Sequence, residues 1–481
     1  MAQRADFAQQ IDLDLAFFGL DIALHKNGGQ RRCDQRQHRQ SQHHHQHGEH
    51  ATRLGLGHGI TIAHGGRRGE RQPQTLMQGA DAGLQCPEPH TADQQDQHAQ
   101  SKGIQQSPAH EAVSMFSLGG HRPILAWAGG DNGGMNPSSL SHVHPYTALT
   151  PDVVQDALAS VGLWGDGRMT ALNSFENRVY QIHLESPHEG HAQVVAKFYR
   201  PERWSDAQIA EEHSFAEALA AAEIPVVPPL RLGGQTLHHF HDFAFAVSPR
   251  RGGRRPELEQ MDVLEWIGRL LARLHTVGAQ EAFVTRPALD LANFGQEPRD
   301  WLLQHHMVAP EVQSAWAEAL EEALALIEAH PSLRAQPPAE PEQIQRIRIH
   351  GDCHPGNILW TPEGAPGAGP HFVDLDDARM GPAVQDFWML LSGERRQQNR
   401  QLGALIDGYE ELRPFDRREL ALIEPLRTLR LIHYSAWLAR RWEDPTFPIN
   451  FPWFGSRDYW QGQVDMLVEQ IEEMQNEPLV A

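Results

Sequence analysis

The chain has 481 residues, of which 40% are hydrophobic, and no apolar run is long enough to cross a bilayer, which indicates a soluble protein with more than one domain. The formal net charge of -21 argues against a general binder of nucleic acids or of anionic membranes. Three cysteines, Cys33, Cys86 and Cys353, form neither a disulfide framework nor a paired zinc motif, which favours a cytoplasmic location.

Residues 1–134 differ in composition from the rest of the chain. They are rich in Gln, His, Gly and Arg and include a histidine tract at 42–47. Segments with so few core-forming stretches are typically disordered. The histidines lack the fixed spacing of a metal site, so metal binding is the weaker interpretation. Because Met135 heads a normal-looking start, we expect 1–134 to be a disordered or mis-assigned extension without a function of its own.

The predicted elements of a packed enzyme begin with a helix at 153–161, which has Thr150 as its cap and a proline in its first turn. Residues 172–182 then alternate between polar and apolar side chains, as a β-hairpin does. A second strand at 193–199 contains Lys197. This order predicts a small lobe that is rich in β-structure.

The pattern becomes helical after this hairpin region. A helix is predicted at 206–222, and an apolar strand at 243–247 leads into a hinge between two lobes. Residues 250–255 carry four arginines, which could attract an acidic substrate, although a charged loop in solvent is the simpler interpretation. Apolar residues at helical spacing over 263–275 predict a core helix, in which His275 serves packing and hydrogen bonding.

Two motifs in the second half of the chain predict its chemistry. Residues 350–359 read HGDCHPGNIL, and residues 372–376 read FVDLD. Phosphoryl transfer from ATP requires a carboxylate that receives the hydroxyl proton and oxygen ligands that hold Mg²⁺ against the phosphates. Asp352 supplies the base, and Asn357 and Asp374 supply the metal ligands, so Asp352 and Asp374 are the predicted catalytic residues. Two short strands around a Gly/Pro turn would bring the three side chains together.

These motifs resemble those of the aminoglycoside phosphotransferase and choline kinase group. Residues 350–357 carry H-G-D where protein kinases have H-R-D. Residues 373–381 carry D-L-D, at 374–376, where protein kinases have D-F-G. The resemblance implies an α+β, bilobal, protein-kinase-like fold. Its small N-lobe would span 135–250, and its larger, mostly helical C-lobe would span 251–481.

The same resemblance implies which residues bind ATP. Lys197 would bridge the phosphates, and Glu212 would be its acidic partner, with Glu211 as the alternative. No G-x-G-x-x-G precedes the lysine, so the phosphate-covering turn would be 173–177. Ser174 is the expected phosphate contact in that turn, although a plain hairpin turn uses the same residue types.

Further polar residues near the motifs have predicted supporting roles. His350 would hold the loop in place, and Asp386 resembles the aspartate that ties the following helix to the catalytic loop. Asp376 would either assist a second metal ion or bind nearby backbone. A metallohydrolase that uses His350, Asp352 and His354 is an alternative, but it leaves the other motif residues without a role.

A narrower resemblance covers residues 135–481 and is carried by 172–232, 197–204, 350–360 and 372–379. These segments resemble the bacterial stress response kinase A family. The resemblance implies a cytoplasmic, ATP- and Mg²⁺-dependent serine/threonine protein kinase of the stress response. Its partners would be ATP and a protein with a serine or threonine acceptor, and we expect a monomer.

Two other functions stay open at this point. A small-molecule hydroxyl kinase, for an aminoglycoside, choline or homoserine, would require a deep acidic acceptor pocket, whereas a protein substrate would require an open groove. An ATP-binding scaffold without turnover is the third possibility. It conflicts with the presence of the base, the metal ligands and the lysine.

Overall fold

The computed structural model describes residues 144–335, 344–365 and 367–481. The predicted extension at 1–134, with its histidine tract, lies outside the described residues. Helices and strands are numbered from the first described one. Across the described residues, no helix has both the length and the apolar composition that a membrane span requires.

The first lobe is built on a five-stranded antiparallel sheet with the strand order β1-β2-β3-β5-β4. Helix α1, Pro151–Ser160, precedes the sheet and begins where the Thr150 side chain accepts a hydrogen bond from the Val153 N–H. The strands are β1 (Gly165–Ala171), β2 (Arg178–His188), β3 (His191–Phe198), β4 (His238–Phe240) and β5 (Phe243–Pro249).

Strand β3 shows how the sheet aims its one lysine. Val194, Ala196 and Phe198 are buried in the core of this lobe, on one side of the strand. Because successive side chains of a strand point to opposite faces, Val195 and Lys197 face the other side of the sheet. The burial of three apolar side chains therefore directs the Lys197 ammonium toward the second lobe.

Helix α2, Asp206–Ala221, crosses that other side of the sheet. It begins with a capping box, in which Ser205 and Gln208 bond each other's backbone N–H groups. Its buried face contains Ile209, Phe215 and Leu219, and Glu212 lies on the same face. The helical period thus places one carboxylate of the helix inward, close to β3.

The second lobe is mostly helical, with two short β-ribbons. Ribbon β6–β9 pairs Ile347–Ile349 with Arg379–Gly381, and ribbon β7–β8 pairs Ile358–Thr361 with Gly369–Phe372. The helices are α3 (Met261–Gly278), α4 (Glu297–Gln304), α5 (Gln313–Glu328), α6 (Gln385–Trp388), α7 (Arg395–Glu410), α8 (Ile423–Arg440), α9 (Thr446–Asn450) and α10 (Arg457–Gln475). The predicted α+β bilobal fold is confirmed. The predicted boundary between the two lobes, at residues 250 and 251, lies just after β5 and remains a prediction.

Helices α3 and α7 form the centre of the second lobe and approach each other through glycines. A Cβ on Gly268 would overlap the carbonyl oxygen of Leu405, and a Cβ on Gly408 would overlap the carbonyl oxygen of Glu265. The two backbones therefore lie in direct contact, which only a residue without a side chain permits.

We expect Gly268→Ala to lower the free energy of unfolding by about 1–3 kcal/mol, because the added methyl forces the two helices apart. Gly403→Ala on α7 is the matched control, since a Cβ there meets nothing within 4 Å. The control should keep or raise the stability by up to about 1 kcal/mol, as alanine favours helix. Urea unfolding of both variants measures the difference, and equal stability of the two would contradict the close packing.

Candidate active site

The catalytic loop lies between β6 and β7. It ends in a 3₁₀ turn at Pro355–Asn357, and β7 follows at once. The pairing of Ile358 with Phe372 brings the Val373 N–H within 3.0 Å of the Asn357 carbonyl oxygen, so Asn357 and Asp374 lie beside each other. Asp374 follows β8 in the left-handed region, with φ of 61°. A non-glycine residue rarely adopts this conformation, and such strain concentrates at functional sites.

A buried carboxylate holds the start of the catalytic loop. Asp386 on α6 accepts hydrogen bonds from the N–H groups of His350 at 2.8 Å and Gly351 at 2.9 Å. His275 on α3 approaches the same carboxylate with its Nε2 at 3.0 Å. His350 in turn bonds the Val373 carbonyl through its Nε2 at 3.0 Å. Asp386 thus makes the tie that the sequence predicted, and both histidines have structural contacts.

Asp352 is held by side chains on both sides of its carboxylate. The Arg430 Nη2 lies 2.7 Å from Oδ1. The Asn357 amide nitrogen donates to Oδ2 at 3.3 Å and to the Asp352 carbonyl at 3.0 Å. The His354 Nε2 is 3.6 Å from Oδ2. The predicted base therefore has a fixed orientation, to which Arg430 on α8 contributes.

Lys197 contacts three carboxylates. Its Nζ lies 3.0 Å from Asp376 Oδ1, 3.1 Å from Asp374 Oδ1 and 3.5 Å from Glu212 Oε1. Burial alone would lower the pKa of Lys197, but the three carboxylates hold this pKa well above its usual value. The lysine is therefore charged, and it joins β3 and α2 to the segment after β8.

The structure places Glu212, not Glu211, beside Lys197. Burial raises the pKa of Glu212 to about 7, and Arg286 approaches its second oxygen at 3.6 Å. Glu211 points away and accepts hydrogen bonds from backbone N–H groups, including that of Val284 at 2.7 Å. The predicted partner of the lysine is thus in contact with it.

Asp376 is a buried link and not an open ligand. Besides Lys197, it contacts the Arg203 guanidinium and accepts a bond from the Asn177 amide at 3.3 Å. Burial opposes its charge, but Arg203 and Lys197 outweigh burial and lower the pKa of Asp376 to about 2. Its contacts join residues of both lobes, and its predicted part in binding a second metal ion remains a prediction.

Two adjoining clefts meet at these residues. The first has a volume of about 400 Å³ and lies between the sheet and β7–β8. Its apolar walls include Val195, Ala246 and Leu359, and Lys197 and Glu212 lie at its polar end. An apolar slot that ends in a buried cation suits a nucleotide. We call it the nucleotide cleft.

The second cleft, of about 390 Å³, contains Asp352 and is bounded by α8. Ser174, Asn357 and Asp374 line both clefts, so they stand at the junction. We call this second space the acceptor cleft. Ser174 is thus placed where a transferring phosphate would pass, but its role in phosphate binding remains a prediction.

The turn over this junction is attached to α8. Glu176, in the turn at 173–177, accepts a hydrogen bond from the Trp437 indole at 2.6 Å and lies 2.6 Å from the Arg441 Nε. The turn is therefore tied to the wall of the acceptor cleft. These contacts, like that of Arg430, join residues far apart in the chain and follow no spacing that a sequence motif would reveal.

The metal-ligand prediction is chemically consistent with the donors present. The Asn357 amide nitrogen faces Asp352, which leaves its oxygen as the remaining donor, and the Asp374 side chain is 52% exposed. Both are hard oxygen ligands, and Mg²⁺ in phosphotransferases takes one or two carboxylates together with phosphate oxygens. Asn357 and Asp374 therefore fit Mg²⁺. By contrast, the His350 and His354 rings bond the backbone of Val373 and Gly356.

Comparison with known proteins identifies the family. The chain matches the phosphotransferase enzyme family over residues 168–423. Stress response kinase A of Escherichia coli (strain K12) is 45% identical over 345 residues, which cover 72% of this chain and 98% of that protein. The chain belongs to the stress response kinase A family. It is therefore an ATP-dependent phosphotransferase.

One further relative and one solved structure are similar to this chain. The serine/threonine protein kinase RdoA of Salmonella typhimurium (strain LT2) is 43% identical over 334 residues, covering 69% of this chain and 96% of that protein. A solved amicoumacin kinase in complex with AMP-PNP and Ca²⁺ is 18% identical with a TM-score of 0.50, covering 69% of this chain and 96% of that one. The latter shares the fold.

The helix that carries Asp386 in this family member is itself held by a buried glutamate. Glu419 accepts a hydrogen bond from the Val384 N–H, just before α6, at 2.8 Å. Burial raises the pKa of Glu419 from 4.5 to about 8. The protonated form is therefore favoured in the folded protein below about pH 8.

This shift predicts a pH-dependent stability. Between pH 4.5 and about 8 the folded state binds a proton at Glu419 that the unfolded state has released, so Glu419 makes stability fall as pH rises. The slope from this one group is at most about 1.4 kcal/mol per pH unit. We expect urea unfolding of Glu419→Gln, compared across that range, to show a shallower decline than the parent chain. Parallel curves for the two proteins would refute the raised pKa.

Proposed function

We propose that the chain is an ATP- and Mg²⁺-dependent serine/threonine protein kinase that acts in the cytoplasm as a monomer. The observation that supports this most directly is that Asn357 and Asp374 line both clefts, with Lys197 beside Asp374 in the nucleotide cleft and Asp352 beside Asn357 in the acceptor cleft. A base, two oxygen ligands and a buried cation at one point are the groups that phosphoryl transfer requires.

In this proposal the nucleotide cleft takes ATP. Lys197 bonds the phosphates and is held toward them by Glu212, and Ser174 contacts the phosphate oxygens from the turn above. Asn357 and Asp374 hold Mg²⁺, which when bound neutralises phosphate charge. The charge of Lys197 is already in place before the reaction, so little reorganisation is needed as charge builds on the transferred group.

The acceptor hydroxyl enters from the other side. It donates a hydrogen bond to the Asp352 carboxylate and passes its proton there as its oxygen attacks the γ-phosphorus of ATP, whose bond to the bridging oxygen breaks and releases ADP. Arg430 and Asn357 keep that carboxylate from rotating away. A base held in position increases the rate because the reactive geometry is formed before the reaction begins.

The charges of the acceptor cleft support a protein acceptor over a polycationic drug. Of the five carboxylates that line this cleft, four are paired with arginines of the chain and do not offer free negative charge to an amine, and the fifth, Asp374, contacts Lys197 and is the proposed metal ligand. The pairs are Glu176 with Arg441, Asp352 with Arg430, Asp376 with Arg203, and Asp377 with Arg379.

A small-molecule hydroxyl kinase is the second candidate. The volume of the acceptor cleft, about 390 Å³, lies within the range of small-molecule pockets. A small alcohol without positive charge would fit the same base and the same volume. The identity of the labelled product therefore distinguishes the two candidates.

We expect Asp352→Asn and Asp374→Asn each to reduce the transfer of labelled phosphate from ATP by about 10²–10⁴-fold, since one loses the base and the other a metal ligand. The assay offers generic proteins and a panel of small alcohols to the full chain with Mg²⁺. Asp407→Asn, an exposed carboxylate on α7, is the control and should keep full activity.

Label on serine or threonine of a protein, lost in both variants, supports the proposal. Label on small alcohols alone replaces it with the second candidate. Undiminished transfer by Asp352→Asn would rule out the assigned base under either candidate.

A further prediction concerns Arg430. Arg430→Gln removes the ion pair with Asp352, so we expect kcat to fall by about tenfold to a hundredfold while the KM for ATP stays unchanged. Arg430→Lys should recover part of the loss, because a lysine keeps the charge but not the planar guanidinium. Steady-state kinetics at several pH values measure both effects. A change confined to the KM for ATP would place Arg430 on the nucleotide side instead.

A further inference from the structure

The arginine-rich segment at 250–255 has three arginines with local partners and one without. Arg250, Arg251 and Arg254 bond neighbouring groups of the chain, whereas the side chain of Arg255 makes no ion pair or hydrogen bond within the described residues. The three partners are the Gln181 side chain at 3.3 Å, the Gly367 carbonyl at 2.8 Å and the Glu257 carboxylate, respectively.

The backbone beside Arg255 is fixed to the strand that leaves the catalytic loop. Arg254 and Trp360 exchange two backbone hydrogen bonds, of 3.0 and 2.7 Å. A Cβ on Gly253 would lie 2.7 Å from the Leu359 Cβ, so the segment runs in direct contact with β7. The buried Pro256 follows. The backbone of the segment is therefore fixed against β7, while residues 253–255 are exposed, as expected of a charged loop in solvent.

Arg255 faces the acceptor cleft. Its exposed side chain lines this cleft together with Asp352 and His354, whereas among the described residues the lining of the nucleotide cleft includes Arg251 but not Arg255. The carboxylates of the cleft are paired with other residues, as described above.

We propose that Arg255 determines acceptor specificity by binding a carboxylate next to the accepting serine or threonine of a protein substrate. This inference rests on the proposed function. An arginine presents a planar fork that matches a carboxylate, and a cation near the base positions an acidic segment of the acceptor. The chain as a whole carries a formal charge of -21, so net charge does not attract an acidic acceptor, and a preference for one requires a local cation such as Arg255.

The test measures binding, which does not depend on turnover. Two peptides of identical composition are compared, and both carry alanine in place of the acceptor serine. In the first peptide the acidic residues are adjacent to that alanine, and in the second they are at the far end of the peptide. The full chain should bind the adjacent form on the order of fivefold more tightly, as expected of a partly exposed charge pair. Arg255→Glu should abolish or reverse this preference, and Arg254→Glu, the same charge change one residue away, should retain it.

The same variants separate this inference from the proposed function. The inference is overturned if the chain binds both peptides equally or binds neither. It is also overturned if Arg255→Glu keeps the preference for the adjacent form. A raised KM for ATP in Arg255→Glu, with peptide preference intact, also overturns it, because the anion bound is then a nucleotide phosphate. If the preference is present but the serine forms of the peptides receive no label from ATP, the protein-kinase proposal fails while the anion site remains.

Discussion

The ion pairs of the Lys197 ammonium connect the two lobes, and the rest of the site is arranged around them. The lysine comes from β3, Glu212 comes from α2, and Asp374 and Asp376 follow β8 in the second lobe. A buried ammonium is costly unless carboxylates compensate for the lost hydration, so each partner is needed to keep the others charged. The direction of the lysine is in turn set by apolar packing on the opposite side of its strand. The burial of apolar side chains in the first lobe thus determines where the Lys197 ammonium contacts the carboxylates of the second lobe.

The second lobe supports the site in a different way, by satisfying backbone groups. The N–H groups of His350 and Gly351 are buried, and the Asp386 carboxylate accepts both. Unpaired, each such group would cost about 1–3 kcal/mol. All four residues of α6 are buried, so this short helix is a rigid support and not a surface element. His275 extends the network from Asp386 to the core helix α3, which joins the catalytic loop to the centre of the lobe.

The parts of this protein that local sequence determines were predictable, and the parts that depend on distant contacts were not. The alternation that positions Lys197 and the β7–β8 ribbon follow from spacing along the chain, and the contact of Asp386 with the loop was expected from the family resemblance. The contact of Arg430 with Asp352 joins residues with no fixed spacing, and Arg430 belongs to a helix without a motif. The two backbone hydrogen bonds between Arg254 and Trp360, which fix the largely exposed segment at 250–255 to β7, likewise follow no sequence pattern. The assigned roles of Asp352, Asn357, Asp374, Ser174, Lys197 and Glu212 stay predictions.

Two aspartates, two residues apart, illustrate how burial separates supporting from reactive groups. Asp376 is buried and held by Lys197, Arg203 and Asn177, so an incoming cation or phosphate would have to break several contacts to engage it. Asp374 shares Lys197 with it, but its side chain is half exposed at the junction of the clefts, where water weakens the ion pair. In the proposed function, a phosphate at Lys197 would therefore compete with the half-exposed Asp374 before it competes with the buried Asp376. The Asp374 carboxylate released in this way would lie beside Asn357, where a metal ion would need it.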